Sequence, residues 1–215
     1  DPAAQRHRHQ DDRGQVMHRP PTLATLILAA ALIAGCGTSP PSRFYTLDAT
    51  ATSTASASAQ SALVVAVGPV TVPAIVDRPE FVVSAGPNEV KIDDFNRWAS
   101  PLQDGLSRAV AENLVALLGT PRVVRYPQPL AIEADYRVVI EVRTFDSAPG
   151  QSAALDAVWT IRRSKDGKTQ TGRTSVRDTV PDKGYDALAA AHSRAVARMS
   201  QDIAGAIAAM QRGAP

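Results

Sequence analysis

Residues 136–162 read YRVVIEVRTFDSAPGQSAALDAVWTIR, and this stretch decides the fold of the chain. Apolar and polar side chains alternate through residues 136–145 and again through residues 154–162, a period of two that is typical of strands with one buried face. The predicted buried side chains are Tyr136, Val138, Ile140, Val142, Leu155, Ala157, Trp159 and Ile161. The sequence therefore predicts two strands, each with one face in the core.

Further strands are predicted on both sides of this stretch. Residues 62–67 read ALVVAV, an unbroken apolar run that favours a strand covered on both faces, and Gly68-Pro69 interrupts it. A tight turn is expected at Asp166-Gly167, because both residue types tolerate positive φ angles. The remaining strands are predicted at residues 70–72, 81–84, 89–92, 122–126 and 169–176. The last of these is polar, so we expect it at the edge of the sheet.

Residues 100–119 carry the signals of a helix with defined ends. Ser100 is a good N-cap, Pro101 suits the first helical position, and Gln103 completes a Ser-x-x-Gln capping box. Gly119 ends the helix. One apolar stripe runs between these ends, at Leu102, Leu106, Val110, Leu114 and Leu117.

A second helix is predicted over residues 184–211, where apolar side chains repeat at intervals of three, four and four. Each apolar stripe must cover a sheet. The order strands, helix, strands, helix therefore predicts an α+β fold, a mixed or antiparallel sheet with two long helices packed on one face. We expect residues 62–215 to form this single domain.

The amino-terminal segment differs from the rest of the chain. Residues 1–16 are polar and precede the first methionine, so we interpret them as an upstream extension. A short basic stretch and the uncharged run from Leu23 to Ala34 then form the n-region and h-region of a signal peptide. Twelve residues rise only about 18 Å as a helix, short of the roughly 30 Å of a bilayer core. Residues 1–35 are therefore expected to be removed.

Cys36 is the only cysteine in the chain, and residues 32–35 (LIAG) precede it. This sequence is similar to a bacterial lipobox, in which the cysteine carries lipid. A lone thiol cannot form an internal disulfide, and acylation removes a reactive thiol from the oxidising periplasm. Gly37 follows, and the absence of Asp there matches lipoproteins sorted to the outer membrane. Residues 36–61 are expected to be a lipidated N-terminus, a tether and a mobile Ala/Thr/Ser-rich loop, with a short strand at residues 43–47.

The mature chain is nearly neutral. Of 23 Lys and Arg and 21 Asp and Glu, four arginines and three aspartates lie before Cys36, which leaves 19 basic and 18 acidic residues. No block of like charges occurs in the sequence, so the electrostatic footprint of a nucleic-acid-binding protein is missing.

Catalytic chemistry has few candidates in this sequence. The only histidine after residue 35 is His192, which falls in the apolar stripe of the second helix, so we interpret it as a core or interface histidine. Neither Cys/His catalysis nor an ordinary zinc site is predicted, and no cofactor or enzymatic activity is expected. A hydrolase that uses paired carboxylates is an alternative, although surface acids of this kind are usually solvated. Its candidate residues are Asp93, Asp94, Glu133 and Asp135.

Two short motifs are more specific than a generic domain needs. Arg97 and Trp98 come just ahead of the first predicted helix, and these residue types are enriched in binding hot spots. Trp98 could equally close the core beneath the helix start. Asp77-Arg78-Pro79 is either a second contact site or a plain turn with a local ion pair. Arg78, Arg97 and Trp98 are the candidate partner-binding residues.

Several short motifs follow the lipobox in a fixed order. They are YTL (residues 45–47), VGPV (67–70), DRP (77–79), NRWASPL (96–102), AENL (111–114), LG (118–119) and YP (126–127). Together they resemble the ABC-type transport auxiliary lipoproteins, the family that includes the PqiC lipoproteins. The similarity covers essentially the whole mature chain.

This resemblance implies a non-catalytic outer-membrane subunit of an MCE-type ABC system that moves lipids or other apolar molecules between membranes. The implied partners are an MCE-domain periplasmic protein and, through it, an inner-membrane permease and ATPase. Cys36 would attach the chain to outer-membrane lipid, and a homo-oligomer would suit a ring-shaped partner. Arg78, Arg97 and Trp98 match the family's motifs. An assembly or scaffold lipoprotein without a transport role is the alternative.

Overall fold

The computed structural model describes residues 40–52 and 62–213. The predicted signal peptide, Cys36 and most of the Ala/Thr/Ser-rich segment lie outside these residues. The described part contains eight strands, two long helices and a 3-10 helix at Pro129–Glu133. The strands and helices are β1 (Arg43–Tyr45), β2 (Val65–Thr71), β3 (Glu80–Gly86), β4 (Glu89–Trp98), α1 (Leu102–Leu118), β5 (Val123–Arg125), β6 (Tyr136–Ala148), β7 (Ser152–Arg163), β8 (Thr169–Thr179) and α2 (Tyr185–Arg212).

Five strands form a mixed sheet in the order β5-β2-β6-β7-β8. β2 pairs in parallel with β5 and β6, whereas β6, β7 and β8 pair antiparallel. β6 and β7 come from the stretch that begins at Tyr136, and their alternating burial is as predicted. The polar strand β8 lies at the edge of the sheet, which confirms its predicted position.

Both helices pack on one face of this sheet. Their apolar stripes join the inward side chains of β2, β6 and β7 in one core. Full burial of a single Leu, Ile or Met side chain contributes about 1.5–3 kcal/mol, so this layer is a main source of stability. The α2 side chains buried in it include Leu188, Val196, Met199, Ile203 and Ile207. The predicted α+β class, with two helices on one face, is confirmed.

A second sheet, of three strands in the order β1-β4-β3, was not predicted as a separate layer. β3 and β4 form the predicted hairpin, but β4 continues to Trp98. β1 then pairs in parallel with the end of β4, so that Phe44 lies opposite Arg97 and Tyr45 opposite Trp98. The ring of Phe81 stacks on that of Trp98 with 4.2 Å between their centroids. Phe81 and Trp98 belong to the same buried cluster as the side chains of the two helices and of β6, which attaches the small sheet to the core.

The predicted capping box at the start of α1 is wrong. Pro101 occupies the capping position, and no side chain bonds to the first turn. The amide of Gln103 instead donates to a carboxylate oxygen of Asp77 at 3.0 Å. Asp77 therefore binds the Gln103 side chain, which would otherwise have completed the capping box. At the other end, Gly119 adopts the left-handed conformation, with a φ of 64°, which confirms the predicted stop.

β2 does not stop at Gly68-Pro69, where an interruption was predicted. Its pairing with β6 shifts register between Val67 and Val70, and the strand continues to Thr71. Gly68 has a φ of +114°, and an added Cβ would lie 3.3 Å from the Cβ of Tyr126. The register shift absorbs the irregular residues without ending the strand.

The segment after β1 is held against both helices, although a mobile loop was expected from Asp48 onward. Leu47 is buried in the core. The backbone N–H of Asp48 donates to Oγ of Ser193 at 3.0 Å, and that of Ala51 donates to Oδ1 of Asn113 at 2.8 Å. Side chains from α2 and α1 therefore fix the first residues of this segment, whatever their composition.

Candidate functional site

The three candidate partner-binding residues surround one surface pocket of about 460 Å³. Arg97 and Trp98 lie at the end of β4, and Arg78 belongs to the turn between β2 and β3. The remaining walls include Phe44, Pro79 and Pro101. The structure thus brings together residues that the sequence places in two separate motifs. We call this cavity the arginine pocket.

Trp98 forms a wall of the arginine pocket and is mainly a core residue, with only 6% of its surface exposed. Its ring stacks on Phe81 and makes an edge contact with Phe145, at 6.0 Å between centroids. Its backbone N–H donates to the carbonyl of Pro79 at 2.7 Å. Trp98 therefore closes the core next to the start of α1 and holds the 77–79 turn against β4.

Arg97 points away from the core, because successive residues of a strand face opposite sides. Its Nη2 lies 2.7 Å from Oε1 of Glu80, its cross-strand partner on β3. Both side chains are partly exposed, so the ion pair contributes at most about 1 kcal/mol. This ion pair holds the Arg97 guanidinium beside the pocket, and the carboxylate of Glu80 offsets the charge of Arg97.

Arg78 differs from Arg97 because it makes no ion pair with any residue that the structure describes. Its Nε is buried, yet it makes no hydrogen bond, and no ion pair to Arg78 occurs within residues 40–52 and 62–213. The neighbouring carboxylate of Asp77 is engaged by Gln103, so the local ion pair considered for this turn is not formed. Buried donors are nearly always satisfied in native proteins, so this one requires an explanation.

Phe44, which was not selected from the sequence, also lines the pocket, and this residue is 64% exposed. Phe44 and Tyr45 are adjacent in a strand, so only one of the two rings can face the core. Tyr45 takes the inward position and contacts Phe81 at 5.7 Å. The alternation of β1 was the signal that could have identified Phe44 as an outward-facing aromatic residue.

The four carboxylates considered for a hydrolase are divided between two places. Asp93 and Asp94 lie on β4, in the three-stranded sheet. Glu133 and Asp135 precede β6 and line a different pocket, of about 670 Å³. There Asp135 accepts a hydrogen bond from the backbone N–H of Val64 at 2.8 Å.

Asp93 holds elements of the fold together. Burial by itself raises the pKa of this carboxyl, but hydrogen bonds from the Tyr185 hydroxyl and from the backbone of Asn96 and Phe95 outweigh it, and the pKa lies below its ordinary value. The Tyr185 hydroxyl donates at 2.7 Å and links α2 to β4. Asp93 is therefore an ionised acceptor at neutral pH, not a proton donor.

His192 lies in the core, as predicted. Its Nε2 shares a 2.8 Å hydrogen bond with Oγ of Ser147, and its ring stacks on Phe145 with 3.9 Å between centroids. Burial lowers the pKa of His192 to about 3. Its Nδ1 is buried without a partner. The imidazole is thus neutral and enclosed.

Metal ligation and membrane spanning both lack a structural basis in the described residues. No group of three or more His, Cys, Asp or Glu side chains in these ranges could hold a metal ion. No helix among the same residues has the length and apolar character needed to cross a membrane.

The fold and the site define an α+β domain with two helices over a mixed sheet and an arginine-lined surface pocket. The same fold is found in the crystal structure of protein XCC0632 from Xanthomonas campestris, of the DUF330 family model, at 22% identity and a TM-score of 0.64, covering 80% of this chain and 98% of that one. A crystal structure of an uncharacterized protein matches at 21% identity and a TM-score of 0.62, covering 78% and 99% of the two chains.

The family itself is identified from the sequence. Residues 45–204 match the model of the ABC-type transport auxiliary lipoprotein component, and the chain belongs to that family. The match runs from the last residue of β1 through most of α2 and includes every residue of the arginine pocket except Phe44. No curated protein matches the chain.

Proposed function

We propose that this protein is the outer-membrane lipoprotein subunit of an MCE-type ABC system for intermembrane transport of lipids or other apolar molecules. It acts as a non-catalytic docking component for an MCE-domain periplasmic protein and, through that protein, for an inner-membrane permease and ATPase. Membership of the auxiliary lipoprotein family supports the transport role. The docking role rests on one observation, the convergence of Arg78, Arg97 and Trp98 on a surface pocket.

Cys36 is the proposed attachment site. Each buried methylene of an acyl chain contributes about 0.8 kcal/mol, so two or three chains keep a protein on a bilayer. The six residues between Cys36 and Arg43 extend at most about 20 Å, which keeps the domain close to the membrane. Confinement of this kind raises the effective concentration of the domain for a partner that reaches the same surface.

Catalysis is not needed in this role. The energy for transport would come from the ATPase, on another chain. Two of the four carboxylates considered for a hydrolase already have structural roles, which supports a non-enzymatic subunit: Asp135 accepts a hydrogen bond from the backbone N–H of Val64, and Asp93 accepts one from the Tyr185 hydroxyl.

Affinity purification from solubilised envelopes of the native cell tests the proposal. The tagged wild-type lipoprotein is expected to recover an MCE-domain protein together with a permease and an ATPase. Recovery of an outer-membrane assembly complex without any MCE protein would contradict the transport role and favour the scaffold alternative.

The anchor is tested separately with Cys36→Ser, and Ser39→Ala in the same tether is the matched control. Cys36→Ser is expected to release the protein from the membrane fraction and to weaken the outer-membrane barrier, measured as sensitivity to detergent, whereas Ser39→Ala should change neither. An unmodified Cys36 in the mature wild-type protein, detected by mass spectrometry, would refute the anchoring step.

A further inference from the structure

The Arg78 side chain indicates what the arginine pocket binds. Its Nε is buried and has no acceptor within the described residues. An enclosed N–H without an acceptor is unfavourable, and an oxygen supplied by a ligand would satisfy it. The Nε and the adjacent Nη form the edge of a guanidinium that binds a carboxylate side-on through two parallel hydrogen bonds.

The other charges around the pocket leave room for a single negative charge. Arg97 is offset by Glu80 at 2.7 Å. Asp77 is negative, but its carboxylate is already engaged by Gln103. Arg78 makes no ion pair among the described residues, and Asp77 keeps its negative charge, because Gln103 is neutral, and would repel a group with two negative charges. A carboxylate therefore fits better than a phosphate monoester.

The start of α1 adds to the positive potential. Pro101 lines the pocket and immediately precedes the helix, whose first turn has no side-chain cap. The unsatisfied N–H groups at a helix start carry a partial positive charge. Both Arg78 and the helix start favour an anionic group in the pocket.

Apolar walls surround these donors. Phe44 exposes most of its ring, and Pro79 and Pro101 present only aliphatic side chains. An apolar side chain next to the carboxylate would bury against them. Arg is also among the residue types most enriched in protein–protein hot spots, which favours a polypeptide over a lipid as the occupant.

The geometry points to an acidic side chain of the partner protein, flanked by an apolar residue, as the ligand of the arginine pocket, with its carboxylate paired to Arg78. This inference rests on the proposed docking function and specifies the contact that would carry it. The acidic residue inserts beside Phe44, and the Arg78 side chain turns outward, so that its Nε, which is enclosed in the free protein, and its Nη donate hydrogen bonds to the carboxylate.

Site-specific photo-crosslinking in the native cell tests this contact. A photoreactive phenylalanine analogue replaces Phe44 in the full-length lipoprotein, and the attached molecule is identified by mass spectrometry. We expect a peptide of the partner with Asp or Glu beside an apolar residue near the attachment point. A cross-link to lipid, or to a peptide without an acidic residue, would overturn the inference.

Variants of Arg78 show whether the charge and the Nε–H are used. Arg78→Gln is expected to reduce the cross-link at least tenfold. Arg78→Lys keeps the charge but not the side-on edge, so it should retain only part of the signal. Arg162→Gln, an exposed arginine on β7, is the matched control and should leave the cross-link unchanged. An equal cross-link yield in the wild type and in Arg78→Gln would overturn the inference.

The stability of Arg78→Gln separates a structural role of Arg78 from a role in binding. Arg78 makes no internal hydrogen bond through its buried Nε, so this variant should not lower the melting temperature, and a clear drop would assign Arg78 a structural role instead.

The envelope purification separates the pocket contact from the proposed function. An MCE partner that is recovered equally with wild type and Arg78→Gln would overturn only the pocket contact. Failure of the wild type to recover any MCE protein would overturn the proposed function, while a cross-linked acidic segment of another protein would still support the pocket.

Discussion

His192 should make the stability of this domain depend on pH between 7 and 5. Burial lowers the pKa of His192 to about 3 in the folded protein, whereas an unfolded histidine titrates near 6.5. The stabilisation is complete above about pH 6.5 and is lost as the pH falls towards 3, because the unfolded chain takes up a proton that the folded chain excludes. The linkage relation gives a loss of about 2 kcal/mol between pH 7 and pH 5, and about 5 kcal/mol over the whole range.

Urea unfolding at pH 7 and pH 5 measures the change in the free energy of unfolding, and thermal melts at the same two pH values measure the change in melting temperature. A loss of about 2 kcal/mol corresponds to a fall in melting temperature of roughly 4–8 °C for a domain of this size. The window avoids Asp93, whose pKa is already below its ordinary value of 3.8. The double variant Ser147→Ala/His192→Leu removes both partners of the buried hydrogen bond and should be nearly insensitive to pH in this window.

An NMR titration of His192 tests whether this residue causes the pH dependence. His192 is the only histidine after residue 35, so its ring proton gives an isolated NMR signal in the mature protein. A titration midpoint near 6.5 in the folded protein, or the same loss of stability in the double variant, would show that the imidazole is accessible and does not cause the pH dependence.

Three further predictions concern packing and the segment after β1. Gly172→Ala should lower the free energy of unfolding by about 1–3 kcal/mol, since the new Cβ would overlap the ring of Trp159 on the paired strand; a thermal melt with no decrease would contradict this. Gly205→Ala, in open space on α2, should raise it by about 0.5–1 kcal/mol, and a lower melting temperature would argue against the helix. Asn113→Ala should increase hydrogen exchange at the Ala51 amide, because its acceptor is lost, and unchanged protection would mean that another group holds the segment.

Local periodicity predicted the large sheet and the two helices. The alternation in β6 and β7 and the stripe of α2 each repeat over many residues, so the buried face is specified several times within one segment. The polar composition of β8 likewise placed it at the edge. These features depend only on neighbours in sequence, and the structure confirms them.

The small sheet could not be predicted in the same way. β1 has three residues, and its pairing with the end of β4 joins segments far apart in the chain. The failed capping box has a similar cause, because Gln103 bonds to Asp77, a residue of another segment. Side-chain partners that are distant in sequence leave no periodic signal.

Three residues of the arginine pocket were predicted from the sequence, but their arrangement around the pocket was not. Arg97 and Trp98 were selected as one motif, yet the strand sends Trp98 into the core and Arg97 outward. Arg78 was selected from a separate turn. Only the fold shows that its Nε has no hydrogen-bond partner in the described part of the chain, whereas Arg97 pairs with Glu80. Phe44 was not selected, because an outward aromatic side chain in a short strand resembles a core residue in the sequence.

The parallel pairing of β1 and β4 has a mechanical consequence. A force that pulls on the amino-terminal end of β1 along the strand loads the three residue pairs between β1 and β4 in shear. The three pairs then resist the force together and do not open one after another. Two residues after β1, the carbonyl of Leu47 accepts a hydrogen bond from Nη2 of Arg108 at 2.6 Å. If the domain is held by its amino terminus, a force applied there would be transmitted to β4 and α1. The hairpins formed by β6, β7 and β8 would not carry this force.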